Sequence, residues 1–279
     1  MKAIRSLIYG TAWKKERTAE LVAQALSLGF RAIDTAGQPK HYNEAGVGEG
    51  LKRALAGGLQ REELFIQTKF TPLAGQDPER LPYDPSRPLR EQVLQSFAGS
   101  QKNLHSEFVD SLVLHSPLGD WEKMMEVWQA MESLVDQGLV GQLGLSNCYD
   151  LELFAQLCEK VRVQPRVLQN RFYRDTGYDQ ELRRYCLEGA KEPVIYQSFW
   201  TLTANPHLLQ HPVIQDLAQA RNKTPAQIFF RYLTQLGIQP LTGTTSEQHM
   251  REDLAIFEFT LEEAELKALE VLGLRVSEY

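Results

Sequence analysis

Four polar residues far apart along the chain have side chains that together suit carbonyl reduction: Asp34 in FRAIDTA, Tyr42 in HYNEAGVG, Lys69 in LFIQTKF and His115 in SLVLHSP. Hydride addition to a C=O group creates an alkoxide that needs a proton, and a phenol or imidazole within hydrogen-bond reach delivers it. A phenol, with a pKa near ~10, is helped by a neighbouring ammonium that stabilises the phenolate. A buried lysine is costly unless a carboxylate pairs with it, and Asp34 is the candidate partner. Singly, each residue has a plainer reading: Asp34 as a turn cap, Tyr42 as a loop aromatic, Lys69 as a snorkelling surface charge, His115 as a core histidine. Their common placement separates them from those readings. Asp34, Lys69 and His115 each sit in or just after an apolar run that reads as a buried strand. The carboxyl ends of parallel barrel strands form the face where such a fold does its chemistry.

The elements that must hold these residues alternate along the chain. Strands are expected at 6–11, 32–35, 65–69, 111–115, 143–146, 167–169, 194–198 and 238–242. Helical patterns lie between them, marked by Leu21, Val22, Ala25 and Leu26 in one segment and by Met124, Trp128, Met131 and Val135 in another. The second stripe reads as core rather than as a cofactor contact. Thr224-Pro225-Ala226-Gln227 has a capping threonine, proline at the first helical position and glutamine at the third. Thr260-Leu261-Glu262-Glu263 reads as a second capping box, opening a terminal helix that runs to Leu272. Strands alternating with helices imply a parallel sheet. The fold expected is α/β, a single (β/α)8 TIM barrel over 1–279 with a short or absent N-terminal hairpin and a C-terminal helix. The alternative is a doubly wound open sheet, but no G-x-G-x-x-G follows the first strand. The stretch 71–87, TPLAGQDPERLPYDPSR, reads as a long loop, either over the active face or a plain surface excursion.

Composition narrows the partners. A length of 279 residues suits one barrel, and 43% hydrophobic with 24% charged residues suits a soluble globular protein. A net charge of −6 argues against nucleic acid, which attracts basic surfaces. No run of apolar residues is long enough to span a membrane, and MKAIRSLIYG lacks the pattern of a signal peptide. Cys148, Cys158 and Cys186 have no metal-ligand spacing and read as packing residues in a reducing compartment. The expectations are a cytoplasmic monomer acting on a small-molecule carbonyl compound, with no metal.

The segments IDTA, YNEAGVGEGLKRAL, REELFIQTK, FVDSLVLHSP, VWQAMESLVDQGLVGQLGLSN and EQHMREDLAIFEF, in this order, resemble those of the aldo-keto reductase superfamily over about 10–273. The resemblance implies a (β/α) barrel that binds a nicotinamide cofactor in an extended pose. It makes Tyr42 the proton donor, supported by Lys69, Asp34 and His115. It assigns Ser146, Asn147 and Gln169 to the nicotinamide carboxamide, and Gly10, Thr11 and Ala12 to the lining of the ring. Gln197, Ser198 and Phe199 fall where the ring and pyrophosphate are met. Gly243, Thr244, Thr245, Ser246, His249, Glu252 and Asp253 fall at the adenosine end. Trp13, Phe70 and Ser116 fall at the substrate pocket.

The chain departs from the family's pattern in several places. Gln38-Pro39-Lys40 lengthens the segment between Asp34 and Tyr42 and makes His41 an alternative acid. Gln197 or Tyr196 stands where an aromatic ring commonly covers the nicotinamide, and Ser116 stands where tryptophan is common. With the short segment 117–121 and the short tail after Gly273, these departures predict a shallow substrate site. Gly243 and His249 replace the usual cationic pair at the 2′-phosphate, leaving hydroxyls, helix-end amides and Arg251. NADP(H) is favoured, with NAD(H) as the alternative. A slow cofactor-binding redox sensor of the same fold is the second functional reading. A lyase or isomerase using Lys69 as a Schiff base is the third.

Overall fold

A computed structural model of the protein describes residues 7–276. Eight parallel strands close into a barrel in sequence order. They are β1 (Ile8–Gly10), β2 (Ala32–Asp34), β3 (Phe65–Phe70), β4 (Val109–Leu114), β5 (Val140–Ser146), β6 (Pro165–Arg171), β7 (Ile195–Phe199) and β8 (Gln239–Thr242). Ile8↔Leu241 and Tyr9↔Thr242 join the first strand to the last. Each expected strand is present and the open sheet is not. Ser6 of the first expected strand, and the place for an N-terminal hairpin, lie outside the described residues. His115 follows β4, and its backbone N–H continues the ladder to the Phe70 carbonyl at 2.9 Å.

The outer layer follows from the apolar stripes. The helices are α1 (Thr18–Leu28), α2 (Glu44–Ala56), α3 (Leu89–Leu104), α4 (Trp121–Asp136), α5 (Leu151–Lys160) and α6 (Gln180–Arg184). Next come α7 (Pro206–Leu209), α8 (Pro212–Arg221) and α9 (Pro225–Gln235) between the last two strands, then α10 (Glu247–Leu254) and α11 (Glu263–Leu269). Leu21, Val22, Ala25 and Leu26 of α1 are all buried, as are Met124, Trp128 and Met131 of α4. The Met/Trp stripe is therefore core, tied at its centre by the Trp128 indole N–H donating to the Val163 carbonyl at 3.0 Å. Cys148, Cys158 and Cys186 are unbridged and buried in the same core. Glycine lets α2 and α3 approach: a Cβ on Gly48 would stand 1.9 Å from the Asn103 carbonyl oxygen.

The α9 cap is as expected, with the Gln227 N–H donating to Thr224 Oγ1 at 3.2 Å and the Thr224 N–H to Gln227 Oε1 at 2.9 Å. The C-terminal cap differs. Glu262, not Thr260, caps α11, its N–H donating to Glu265 Oε2 at 2.7 Å. Arg231 donates to the Thr260 hydroxyl at 3.0 Å, and Gln235 of α9 pairs with both backbone groups of Leu261. The chain is held extended there, so the helix starts two residues later. It ends in a short 3-10 turn, Glu270–Leu272.

Candidate active site

The β2 and β3 ends bring Asp34 and Lys69 together. The Lys69 ammonium donates to Asp34 Oδ2 at 2.6 Å, to Oδ1 at 2.7 Å and to the Thr35 carbonyl at 2.9 Å. Both residues are at most 2% exposed. Burial lowers the lysine's pKa, opposed by Asp34. With its three protons engaged and no face on a cavity, Lys69 is not placed to form a Schiff base with a substrate.

Tyr42 reaches this pair despite the longer segment before it. The added residues fold into a turn in which the His41 and Tyr42 N–H groups both donate to the Gln38 carbonyl. Gln38 is in turn tied to the Gly75 carbonyl at 2.7 Å. The extra length is thus absorbed locally, and the Tyr42 ring centroid lies 5.3 Å from Lys69 Nζ. Asn43 then starts α2 by accepting from the Gly46 N–H at 2.9 Å. The expected lowering of the phenol's pKa is not found. Burial, and next the Asp34 carboxylate, push it well up. Asp34 engages the ammonium directly, so Lys69 offers the phenol only its field.

His115 completes the group from β4. Its ring meets Tyr42 edge-on, with centroids 6.0 Å apart, and its Nδ1 lies 2.6 Å from Thr71 Oγ1. Burial, and next Lys69, hold it well below the usual histidine range, so the ring is neutral at pH 7. Thr71 is what the loop at 71–87 contributes. The rest of that loop packs against the β3 end through Tyr83, whose ring stacks on Phe70 at 5.6 Å. No residue of it lines the central cavity. Phe70, read as a pocket residue, is likewise buried beneath Tyr83.

Beneath the tetrad lies a layer of amides that the sequence reading did not foresee. Gln67 of β3 and Gln169 of β6 each donate to Asp34 Oδ1, at 2.8 and 3.0 Å, and each donates to Gln197 Oε1. Gln197 passes the chain on to Gln239 of β8 at 3.0 Å. Strand alternation decides between the two β7 candidates: Gln197 pairs with Gln169 and faces inward, while Tyr196 faces the helices and donates to Asp179 at 2.8 Å. Gln197 is 1% exposed and lies below the cavity rather than on its wall.

A cavity of about 1160 Å³ opens above this layer. Of the residues singled out from sequence it brings together Gly10, Ala12, Trp13, Asp34, Tyr42 and His115, and also Asn147, Gln169 and Phe199. At its other end stand Gly243, Thr244, His249, Glu252 and Asp253. It is not shallow, since it descends to Asp34 and Gln169 inside the barrel mouth; Ser116 adds nothing to its wall. Thr11, Ser146 and Ser198 are fully buried, their hydroxyls tied to the Asp34 carbonyl, the Gln169 carbonyl and Thr201. Thr245 is off the wall, and Ser246 caps α10. Trp13 and His41 stack at the rim with centroids 3.9 Å apart, so His41 borders the same space as Tyr42.

The wall also carries residues that the sequence reading did not single out, among them Lys14, Arg171 and Trp200. Lys14 had a signal in its place directly after Trp13. Its ammonium donates to the Gly243 carbonyl, and a Cβ on Gly243 would stand 3.5 Å from it. A cation therefore stands where the sequence leaves residue 243 without one. Arg251, by contrast, is paired with Glu247 at 2.7 Å and does not line the cavity. Asp253 accepts from the Thr242 hydroxyl at 2.7 Å, and burial pushes its carboxyl up to about 6.

A closed parallel barrel with a buried Lys–Asp pair, a tyrosine and a histidine at its carboxyl mouth defines a class of oxidoreductase scaffold rather than a generic barrel. The family model described as the aldo/keto reductase family matches residues 6–273. The chain belongs to that family. It is 31% identical to the uncharacterized oxidoreductase YtbE of Bacillus subtilis, over 90% of this chain and 82% of the relative. It is 30% identical to glyoxal reductase of the same organism, over 91% and 83%, and 30% identical to a probable NAD(P)H-dependent D-xylose reductase of Emericella nidulans, over 95% and 90%. Among solved structures, an aldo/keto reductase from Brucella melitensis superposes with a TM-score of 0.78 at 26% identity, covering 95% of this chain and 94% of that one.

Proposed function

We propose that the protein reduces aldehydes or ketones to alcohols with a nicotinamide cofactor, with Tyr42 as proton donor. The observation that carries this reading is the Asp34–Lys69 pair buried beside Tyr42 and His115 on the floor of a cavity. About 1160 Å³ exceeds the roughly 300–1,000 Å³ usual for one small ligand and leaves room for a dinucleotide beside a substrate. The residues fit a nicotinamide at one end: Gln169 Nε2 is engaged by Asp34 and Gln197, leaving its Oε1 to accept from a carboxamide N–H. Asn147 stands next to it, its Nδ2 held by the His115 carbonyl at 2.8 Å. Lys14 and the α10 amino end suit phosphate. When bound, the cofactor supplies the hydride.

The chain's own groups then handle the proton. With Thr71 donating to His115 Nδ1, the neutral ring presents an Nε2–H donor to the carbonyl oxygen and orients it. Tyr42 gives its proton to the alkoxide. Even a phenol of raised pKa is the stronger acid here, because an alkoxide is about as basic as hydroxide. Lys69, 5.3 Å from the ring centroid, stabilises the phenolate left behind. NADP(H) is the favoured cofactor and NAD(H) the alternative, in keeping with a relative named as NAD(P)H-dependent and another, from Candida parapsilosis, named as NADH-dependent. The test is a fluorescence titration with NADPH and NADH, followed by turnover of an aromatic aldehyde. Binding without turnover on a broad carbonyl panel favours the sensor reading, and no binding of either cofactor rejects both.

A further inference from the structure

Among the described residues Arg171 is the one arginine on the cavity wall, and nothing in the reading above employs it. It ends β6 opposite Phe199, two residues beyond Gln169. Strand alternation puts it on the same inward face, roughly 6.6 Å higher. Asn170 between them faces the helices and bonds Cys148 and Asp179. Arg171 thus stands one layer above the amide that touches Asp34.

Its guanidinium is held by rings and not by acids. The Cζ atom lies 3.9 Å from the Trp200 ring centroid and 5.2 Å from that of Tyr173. Stacking of this kind occupies the faces of the guanidinium and leaves its in-plane N–H fork available. Among the described residues no carboxylate comes within ion-pairing distance of it, whereas Arg61, Arg162, Arg166, Arg221 and Arg251 all have one. Trp200 is 48% exposed on the cavity side, an unusual position for so large a ring unless it faces a ligand or a neighbour such as this cation. The wall carboxylates do not neutralise Arg171 at close range: Asp34 is paired with Lys69, and Glu252 and Asp253 lie at the β8 end.

We infer that Arg171 anchors the carboxylate of an oxo-acid substrate. The inference rests on the reductase reading above. A fork of N–H donors matches a carboxylate bidentately. The other anion such a site meets is the cofactor's diphosphate. Lys14 stands on the β1–β8 side beside Gly243, whereas Arg171 rises over Gln169 and Asp34, where the carbonyl compound must sit. The NADPH affinity of Arg171 variants separates the two anions. Tyr173 and Trp200 then act as positioning residues, fixing the plane of the fork.

The experiment compares oxo acids with neutral counterparts: glyoxylate, 4-oxobutanoate and 4-carboxybenzaldehyde, each against its methyl ester, at saturating NADPH. The expected result is a kcat/KM advantage of about 10–100-fold for at least one acid, the size of a charge-assisted hydrogen bond. The advantage should collapse through KM in Arg171→Gln and Arg171→Met and return in part in Arg171→Lys. Ester turnover and the NADPH dissociation constant should stay within about twofold, which also shows that the variants fold. No acid preference in the unaltered protein, or a preference that survives Arg171→Gln, overturns the inference. So does a tenfold weaker NADPH affinity in the variants, which assigns the fork to the cofactor's diphosphate. Failure of the unaltered protein to reduce the neutral esters and simple aldehydes as well tells against the reductase reading itself.

Discussion

The two ends of the cavity are built on opposite plans. Around Asp34 every charge is matched inside the protein: the lysine by the aspartate, the aspartate by Gln67 and Gln169, those amides by Gln197. Around β8 and α10 the groups are more open, with Gly243 and His249 exposed and the Lys14 ammonium reaching in from the β1 side. A closed network in a low-dielectric site is rigid and intolerant of single changes, because each removal strands a partner. An open end, screened by water and salt, changes affinity by small steps. The catalytic end is therefore where changes should be all-or-none. The β8 end is where selectivity should be graded.

The largest effect is expected from Tyr42→Phe. Reductase turnover should fall at least about 100-fold, the lower bound of what a positioned proton donor contributes, while NADPH affinity stays unchanged. The ring still fills its place, so stability should hold. Near-normal turnover at saturating NADPH would move the proton source to His41, which borders the same cavity.

Lys69→Met tests the closed network itself. Activity should be lost, and stability should drop by about 3–5 kcal/mol because Asp34 becomes a buried carboxylate without its cation. Thermal unfolding at neutral pH checks this directly. An active variant of unchanged melting temperature contradicts the closed-network view.

Asp253→Asn tests the other end. The carboxyl is raised from 3.8 to about 6, so the folded state holds its proton more tightly than the unfolded chain. Stability is therefore lost as pH rises between those values, by up to about 3 kcal/mol for two units, and the full cost persists above pH 6. The amide, which keeps an acceptor for Thr242, should raise the melting temperature at pH 8 and leave it unchanged at pH 3. Equal shifts at both pH values would mean that packing, not ionisation, is responsible.

The smallest effect concerns the cofactor. With Lys14 as the cation beside Gly243, the margin of NADPH over NADH should be about tenfold, or ~1.4 kcal/mol. It should widen in His249→Arg, which adds a permanent cation to the same wall. Dissociation constants of both cofactors, for the unaltered protein and for His249→Arg, decide this. A thousandfold preference that His249→Arg leaves unchanged would mean that Lys14 alone holds the 2′-phosphate.

Much of this arrangement was legible in the chain. Period-two and period-3.6 patterns are local properties, so the alternation of eight strands with helices, and with it Asp34, Lys69 and His115 at strand ends, could be read directly. The Thr224 capping box was local too. The Thr260 box failed because Arg231 and Gln235, a helix away, claim that segment.

What tertiary structure alone decided is which partner each polar group meets. The Gln67, Gln169, Gln197 and Gln239 layer joins strands separated by up to 130 residues between direct partners, and barrel closure alone brings them together. Whether Tyr42 survives a longer loop depended on a turn around Gln38, and its raised pKa on burial in the barrel mouth and on the nearby Asp34 carboxylate. Arg171 and Trp200 carry no motif, since a cation and an indole 29 positions apart mean nothing until β6 and β7 set them side by side. Sequence periodicity specifies which face of an element is buried. Only the register of the closed barrel specifies what that face touches, because hydrogen bonds and ion pairs act over a few ångströms in space, whatever the distance along the chain.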